Sequence, residues 1–375
     1  MIRNLLAAAA LAAATYAAAE TGVTESQILL GQSAVFSGPA ADLGIEMRTG
    51  ALAYFDAVNA QGGVNGRKIV LKSVDDRYEP DGAVAATKKL INDDKVFALF
   101  GYVGTPTFNA AAPLIKEAKI PLVAAFTGAE SLRDPMIRYV FNVRASYFDE
   151  TEQIVQHLTS MGVDKIAVFY QNDAYGKVGL DGVTRALKKR NIALAGTTTV
   201  ERNSVDVKKA VADMVKLDPQ AIVMISAYKS CAAFIKAEKQ AGKNPSFWNV
   251  SFVGSKALAK ELGPEGRGVQ ISQVVPFPWD ESIPVVREYT RLLKASSPTS
   301  EPNFSSLEGF VSAKVMVEGL KRAGRNLTRE SLIRALETMD PYDVGGFKIV
   351  YTNQDHRGSR YVDLTIISKD QKFVR

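Results

Sequence analysis

From Ser26 onward the chain alternates short apolar runs with amphipathic stretches of helical period, and few folds accept that alternation. "SQILLGQSA" is an apolar run, and Leu43 to Asn59 then places Met47, Ala51, Tyr54, Phe55 and Val58 on one helical face. "GRKIVLKSVDD" reads as a strand, "DGAVAATKKLIND" as a helix and "VFALFGYVG" as a buried strand. "IPLVAAF", "RYVFNVR", "KIAVFYQN", "AGTTTV" and "AIVMISA" continue the series with helices between them. Strands joined through helices of this length need right-handed crossovers and parallel sheets with helices on both faces. Ligands of such sheets sit beyond the carboxyl ends of the strands.

Four or five strands precede Arg144, and a fresh series begins near Lys165, which predicts two similar lobes in tandem. From Pro276 the pattern changes to an extended "VPFPWDESIP", then long helices at Pro284 to Ser296, Phe304 to Ala323 and Thr328 to Thr338, and closing strands "FKIVY" and "YVDLTII". A late helical block without its own parallel sheet packs back onto an earlier lobe, so the chain crosses between lobes more than once. The expected units are residues 26–144 with 276–361, and 145–275 with 362–375. A chain of 375 residues that is 46% apolar can fill two such cores.

"MIRNLLAAAALAAATYAAAE" carries Arg3, an apolar stretch from Leu5, and Ala17 and Ala19 at A-x-A spacing, the pattern of a secretory signal cut after Ala19. Its apolar core is shorter than the ~20 residues of a membrane span. The one cysteine, Cys231, lies far from that cleavage point and forms no disulfide. The expected product is a soluble, exported, monomeric protein.

Catalytic signatures are sparse. With 46 basic and 40 acidic side chains and no dense Lys/Arg block, nucleic acid is a poor partner. His157 reads as a surface residue and His356, in "TNQDHRGSR", as part of a polar turn; neither has metal-ligand spacing to a partner. Cys231 has no neighbouring base. Neither G-x-S-x-G nor a Walker loop occurs. "YGKVGLDG" spaces Gly176, Gly179 and Gly182 as G-x-x-G-x-x-G, which suits close helix-to-sheet packing rather than a dinucleotide. No enzyme, metal or cofactor is expected.

What remains is a set of polar and aromatic residues at strand ends. Gln32, Ser33 and Phe36 follow the first strand, Thr105 and Thr107 follow "VFALFGYVG", and Phe126, Thr127 and Gly128 end "IPLVAAF" and open a helix. Ser146 and Tyr147 follow "RYVFNVR"; Tyr175, Tyr228 and Ser251 lie at the strand ends of the second half. Ser and Thr also cap helices, and tyrosines edge cores, but together these residues line one end of two parallel sheets.

"GQSAVFSGPAADLG", "GGVNGRKI", "KIAVFYQNDAYGK", "AIVMISAY" and "AEKQAGK" together make the chain resemble, over nearly its whole length after the signal, the type I periplasmic solute-binding proteins of the branched-chain amino acid (Leu/Ile/Val) family that serve ABC transporters. The resemblance implies two Rossmann-like lobes joined by a three-strand hinge, no catalysis, closure around a small solute, and delivery to permease subunits in the inner membrane. It implies that Thr105 takes the place of a serine gripping the ligand carboxylate and Gly128 that of a threonine whose N–H meets it. Tyr175 and Tyr228 match aromatic positions presented on closure. Ser251 takes the place of an acidic residue that pairs with an α-ammonium. An unpaired buried charge costs about 3 to 5 kcal/mol, or about two to four decades in affinity. An amino acid would then bind poorly unless Glu130, Asp149, Glu150 or Glu308 moved in. The expected ligand is a small organic carboxylate, aromatic acids included, flanked by Phe126 and Phe36. The alternatives are a branched-chain or other aliphatic amino acid, and a sensory receptor of the same fold.

Overall fold

A computed structural model describes residues 20–339 and 341–375; the expected signal segment lies outside the described residues. The first lobe is laid down as β1 (Gln27–Ala34), α1 (Ala41–Ala60), β2 (Lys68–Asp75), α2 (Pro80–Lys88), β3 (Ala98–Phe100), α3 (Thr105–Glu117), β4 (Leu122–Val123) and β5 (Val140–Phe141). Its sheet is parallel, in the order β2-β1-β3-β4-β5. The ladders of β3 and β4 are shorter than their apolar runs, because Gly101 (φ 62°) and Ala124 (φ 61°) turn the backbone out of the extended region. The two strands meet once more in a single bridge between Val103 and Phe126.

The second lobe follows as α4 (Tyr147–Ser160), β6 (Ile166–Gln171), α5 (Ala174–Lys188), β7 (Gly196–Val200), α6 (Lys208–Leu217), β8 (Ala221–Ile225), α7 (Tyr228–Gln240), β9 (Ser246–Asn249), α8 (Ser255–Leu262) and β10 (Gln270–Gln273). A β-carbon on Gly179 would lie 2.4 Å from Ile225 of β8, and one on Gly182 would lie 2.4 Å from Thr151 of α4. The glycines of "YGKVGLDG" therefore serve close packing, as their spacing suggests.

The chain then returns to the first lobe as α9 (Pro284–Ser296), α10 (Phe304–Ala323) and α11 (Arg329–Glu337), with a small antiparallel sheet of β11 (Tyr342–Asp343), β12 (Lys348–Thr352) and β13 (Asp355–Gly358). It ends in the second lobe with β14 (Asp363–Ile367) and β15 (Phe373–Val374), which extend that sheet to the order β15-β14-β10-β9-β8-β6-β7. Helix α10 lies on α1 with the backbones in contact: a β-carbon on Gly50 would meet the Ser306 carbonyl oxygen at 1.7 Å, and one on Gly309 the Met47 carbonyl oxygen at 2.0 Å. At the start of α11 the Arg329 guanidinium donates to the carbonyls of Val96, Phe97 and Ala118 at 3.0, 2.9 and 3.1 Å.

Three crossings connect the lobes, at residues 143–146, 274–283 and 359–362. The first and third run side by side, with the Ser359 N–H donating to the Val143 carbonyl at 3.2 Å. Beside the third crossing, His356 departs from its expected polar turn. Hairpin β12–β13 folds against the edge of the first sheet, so the imidazole is buried, stacks on Phe141 at 3.9 Å and places Nδ1 3.1 Å from the Val140 carbonyl. Burial holds its pKa down and the ring neutral. His157 is exposed, as expected.

Candidate functional site

The carboxyl ends of the two sheets face each other, and the lobes are shut against one another. In the first lobe the Val103–Phe126 bridge sets two strand ends side by side. Gly104 then turns into α3 at φ 99°, a position where a β-carbon would strike the Tyr78 ring at 2.3 Å. This turn brings the Thr105 and Thr127 hydroxyls to 2.7 Å of each other, with the Tyr147 hydroxyl 3.3 Å from Thr127. The N–H groups of Thr105 and Gly128 have no acceptor among the described residues. Thr105 is also the first residue of a 13-residue helix, whose N-terminal dipole end favours an anion.

Gly128 is filled from outside: a β-carbon there would lie 2.7 Å from the Tyr147 ring, and its carbonyl accepts the Tyr147 N–H at 2.7 Å. The helix expected after it is a single 3-10 turn, Glu130–Leu132, stopped by Pro135. The buried Arg133 guanidinium spans this loop, donating to the carbonyls of Ala129 and Arg144 at 2.8 and 3.0 Å.

Several expected contact residues have other occupations. Gln32 donates to the Gly101 carbonyl at 3.0 Å and accepts from Ser73 at 2.8 Å, welding three strands together. The Thr107 hydroxyl donates to the carbonyls of Val103 and Gly104, closing the start of α3. Ser146 is the N-cap of α4 in a reciprocal capping box with Asp149. Phe36 lies half-buried under the Arg48 guanidinium, 4.1 Å away, and makes no ring contact with Phe126 among the described residues. Phe126 instead faces the second lobe, 5.6 Å from the Phe252 ring.

Sequence reasoning missed the aromatic layer that Phe252 organises. Its ring meets Tyr78 at 6.0 Å, Phe126 at 5.6 Å and Tyr175 at 4.7 Å, and Tyr175 in turn meets Tyr147 at 5.2 Å. The Tyr175 hydroxyl is buried without a hydrogen-bond partner. Tyr228 bridges the lobes directly, its hydroxyl accepting the Asp42 N–H at 3.4 Å.

Arg144 is the other omission. Fully buried at the first crossing, it lies 5.0 Å above the Phe126 ring, 3.3 Å from Glu150 and 3.6 Å from Glu308, and donates to the Ser251 hydroxyl. Burial works against its charge, but Glu308 and Glu150 outweigh that and hold it protonated. Glu150 accepts from the Ser251 N–H at 2.7 Å, the Ser251 hydroxyl at 3.0 Å and the Ser272 hydroxyl at 2.6 Å. Burial, opposed by Arg144, pushes the Glu308 carboxyl up to about 7. Asp149 is held in its cap, and Glu130 forms no ion pair with Arg144 among the described residues.

At the rim, acidic groups of the first lobe meet basic groups of the second. Glu79 accepts from Arg202 and Asn203, each at 2.8 Å, and Glu46 pairs with Lys256 at 3.3 Å. Exposed pairs of this kind contribute about 0.2 to 1 kcal/mol each, here only to the closed state. Glu79→Gln is therefore expected to weaken apparent ligand affinity by up to about fivefold, with small-angle scattering reporting a larger open fraction and thermal stability of each lobe unchanged.

Cys231 is no nucleophile: it is buried, and desolvation pushes its thiol far above the usual range. No helix among the described residues is long and apolar enough to cross a membrane.

Comparison with known proteins agrees with this architecture. A family model described as periplasmic binding protein matches residues 27–372. A Leu/Ile/Val-binding protein homolog 7 of Brucella abortus is 25% identical, with 93% of this chain and 92% of that protein covered. A leucine-, isoleucine-, valine-, threonine-, and alanine-binding protein of Pseudomonas aeruginosa is 23% identical over 77% of this chain and 76% of its own length. The crystal structure of a possible leucine/isoleucine/valine-binding protein from Rhodopirellula baltica superimposes with a TM-score of 0.90 at 33% identity, covering 96% of this chain and 98% of that one. With all three crossings and every strand but β15 inside the matched span, the chain belongs to the periplasmic binding protein family.

Proposed function

We propose that this protein is the solute receptor of an ABC importer and that it closes on a small α-amino acid, which it hands to permease subunits in the membrane. The observation that carries the reading is the convergence of two unspent N–H groups, Thr105 and Gly128, with the Thr105 and Thr127 hydroxyls under the interlobe aromatic layer. That set is a cradle for one carboxylate, and the aromatic rings of both lobes supply an apolar enclosure that exists only on closure.

An ammonium group needs a carboxylate partner, which Ser251 does not itself supply. The carboxylate that supports this reading is Glu308, which lies across Arg144 from Glu150; Glu150 itself is taken up by Arg144 and by the Ser251 N–H and hydroxyl. Relatives named for leucine, isoleucine and valine support the same class. A second reading, an organic acid without an amine, is favoured by one observation: Arg144 Nε and one of its terminal nitrogens are buried without partners and could serve a purely anionic ligand.

Titration calorimetry with leucine and valine beside their des-amino counterparts, 4-methylpentanoate and 3-methylbutanoate, separates the two. The amino acids are expected to bind far more tightly; binding of the des-amino acids alone would establish the second reading. Thr105→Val removes a hydrogen bond to a charged group, worth about 1.5 to 3 kcal/mol. It is expected to weaken any carboxylate ligand by roughly 10- to 150-fold.

A further inference from the structure

The lobe junction holds two buried carboxylates, and they are not equivalent. Glu150 is saturated: Arg144, the Ser251 N–H, the Ser251 hydroxyl and the Ser272 hydroxyl occupy the roughly four acceptor directions that a carboxylate offers. It has nothing left for a ligand. Glu308 accepts no hydrogen bond from the described residues; its one charged neighbour within ion-pair range is Arg144, at 3.6 Å, too far for a hydrogen bond. The Arg144 nitrogen nearest to Glu308 is itself buried without a partner, as is Nε. A cation and an anion thus stand side by side, each with unspent polar capacity, and the cation lies over the ring of Phe126, which is followed in the chain by Thr127 and Gly128 of the carboxylate cradle. Buried donors in the condition of these two Arg144 nitrogens are costly unless a partner arrives.

We infer that Glu308, held in place by Arg144, takes the ammonium group of the bound solute and so selects zwitterionic over purely anionic ligands. The inference rests on the amino-acid reading above and adds which residue enforces it. The carboxylate meets the Thr105 and Gly128 N–H groups with Arg144 close by as counter-charge, and the ammonium enters against Glu308. No pair is broken on binding, because Arg144 keeps Glu150. The acidic group that the resemblance leads one to seek at Ser251, in the second lobe, is thereby supplied from α10 of the first lobe. Recognition of both charged ends then resides on one lobe and its crossing, and the second lobe closes over a head group already held.

The test is calorimetry of Glu308→Gln against leucine and 4-methylpentanoate, with Thr105→Val as the comparison. Glu308→Gln is expected to lose about a hundredfold or more in leucine affinity, the consequence of a buried ammonium left unpaired, while 4-methylpentanoate binds unchanged or more tightly. Thr105→Val is expected to weaken both ligands alike. Since the amide is isosteric with the carboxyl, an unchanged melting temperature in the absence of ligand shows that the variant is folded. Full retention of leucine affinity by Glu308→Gln, or equal loss for both ligands, would overturn the inference while leaving the amino-acid reading in place. A wild-type protein that ignores every amino acid would overturn both.

Discussion

Replacing Arg144 by methionine is expected to lower the free energy of unfolding in urea by about 3 to 5 kcal/mol, because it strands Glu150 in a fully buried site without its cation. Burial already holds the Glu150 carboxyl above its usual range although Arg144 and the hydrogen bonds from Ser272 and Ser251 oppose it, so without the cation it takes a proton more readily and the loss is expected to be smaller at low pH than at high pH. The partner experiment gives the assignment its force. Glu150→Gln in the Arg144→Met background removes the stranded charge and is expected to restore more than half of the loss, whereas additive losses would mean that Arg144 stabilises through its stem and its contact with Phe126. The effect is large because one side chain touches both lobes and the segment between them.

Gly309→Val is expected to have an effect of similar size by a different route. The atoms that an added side chain would meet are the Met47 carbonyl at 2.0 and 2.9 Å and the Ala51 nitrogen at 3.2 Å, all of them α1 backbone. Backbone within a helix cannot rotate away as a side chain can, so α10 must lift from α1. Overpacking typically costs about 1 to 3 kcal/mol and occasionally more, and a contact without a flexible side belongs at the upper end. Glu308 precedes this glycine on the same helix, so ligand affinity should fall with stability. Gly309→Ala should show the same signs with smaller losses, in urea denaturation and in calorimetry. A stable Gly309→Val with normal binding would show that the helices approach less closely than described.

Much of the architecture is legible because local signals agree with the fold. Helices α9 and α10 occupy the spans expected from periodicity, since Pro284 starts one, and Asn303 caps the other while Gly324 ends it. Strands β3 and β4 are shorter than their apolar runs predict, because apolarity continues past the point where Gly101 and Ala124 turn the backbone. At the site, the rule that ligands gather at strand ends points to Thr105, Thr127, Gly128, Tyr175, Tyr228 and Ser251. The same rule also collects Gln32, Thr107 and Ser146, whose hydrogen bonds serve the neighbouring scaffold; residue type alone cannot distinguish a hydroxyl facing a cleft from one closing a helix. Arg144 looks in sequence like a cation flanking a strand, and its meaning comes from Ser251, 107 residues away, and from a helix near the end of the chain. Tyr78 and Phe252 are invisible for the same reason, since each becomes part of the site only when the lobes meet.

The contact of α10 with α1, and of Arg329 with three carbonyls of the first lobe, also fixes an order of assembly. A chain that emerges from its N-terminus, through a ribosome or an export channel, presents β1 to β5 and α1 long before the helices that cover them. The second lobe receives α4 to β10 as one uninterrupted stretch and lacks only the edge strands β14 and β15, so it can collapse while the first lobe still waits. Contacts that close so long a loop are slow to form. The half of the molecule that is made first is thus completed last, and its apolar α1 face stays available to chaperones until residues beyond 304 arrive.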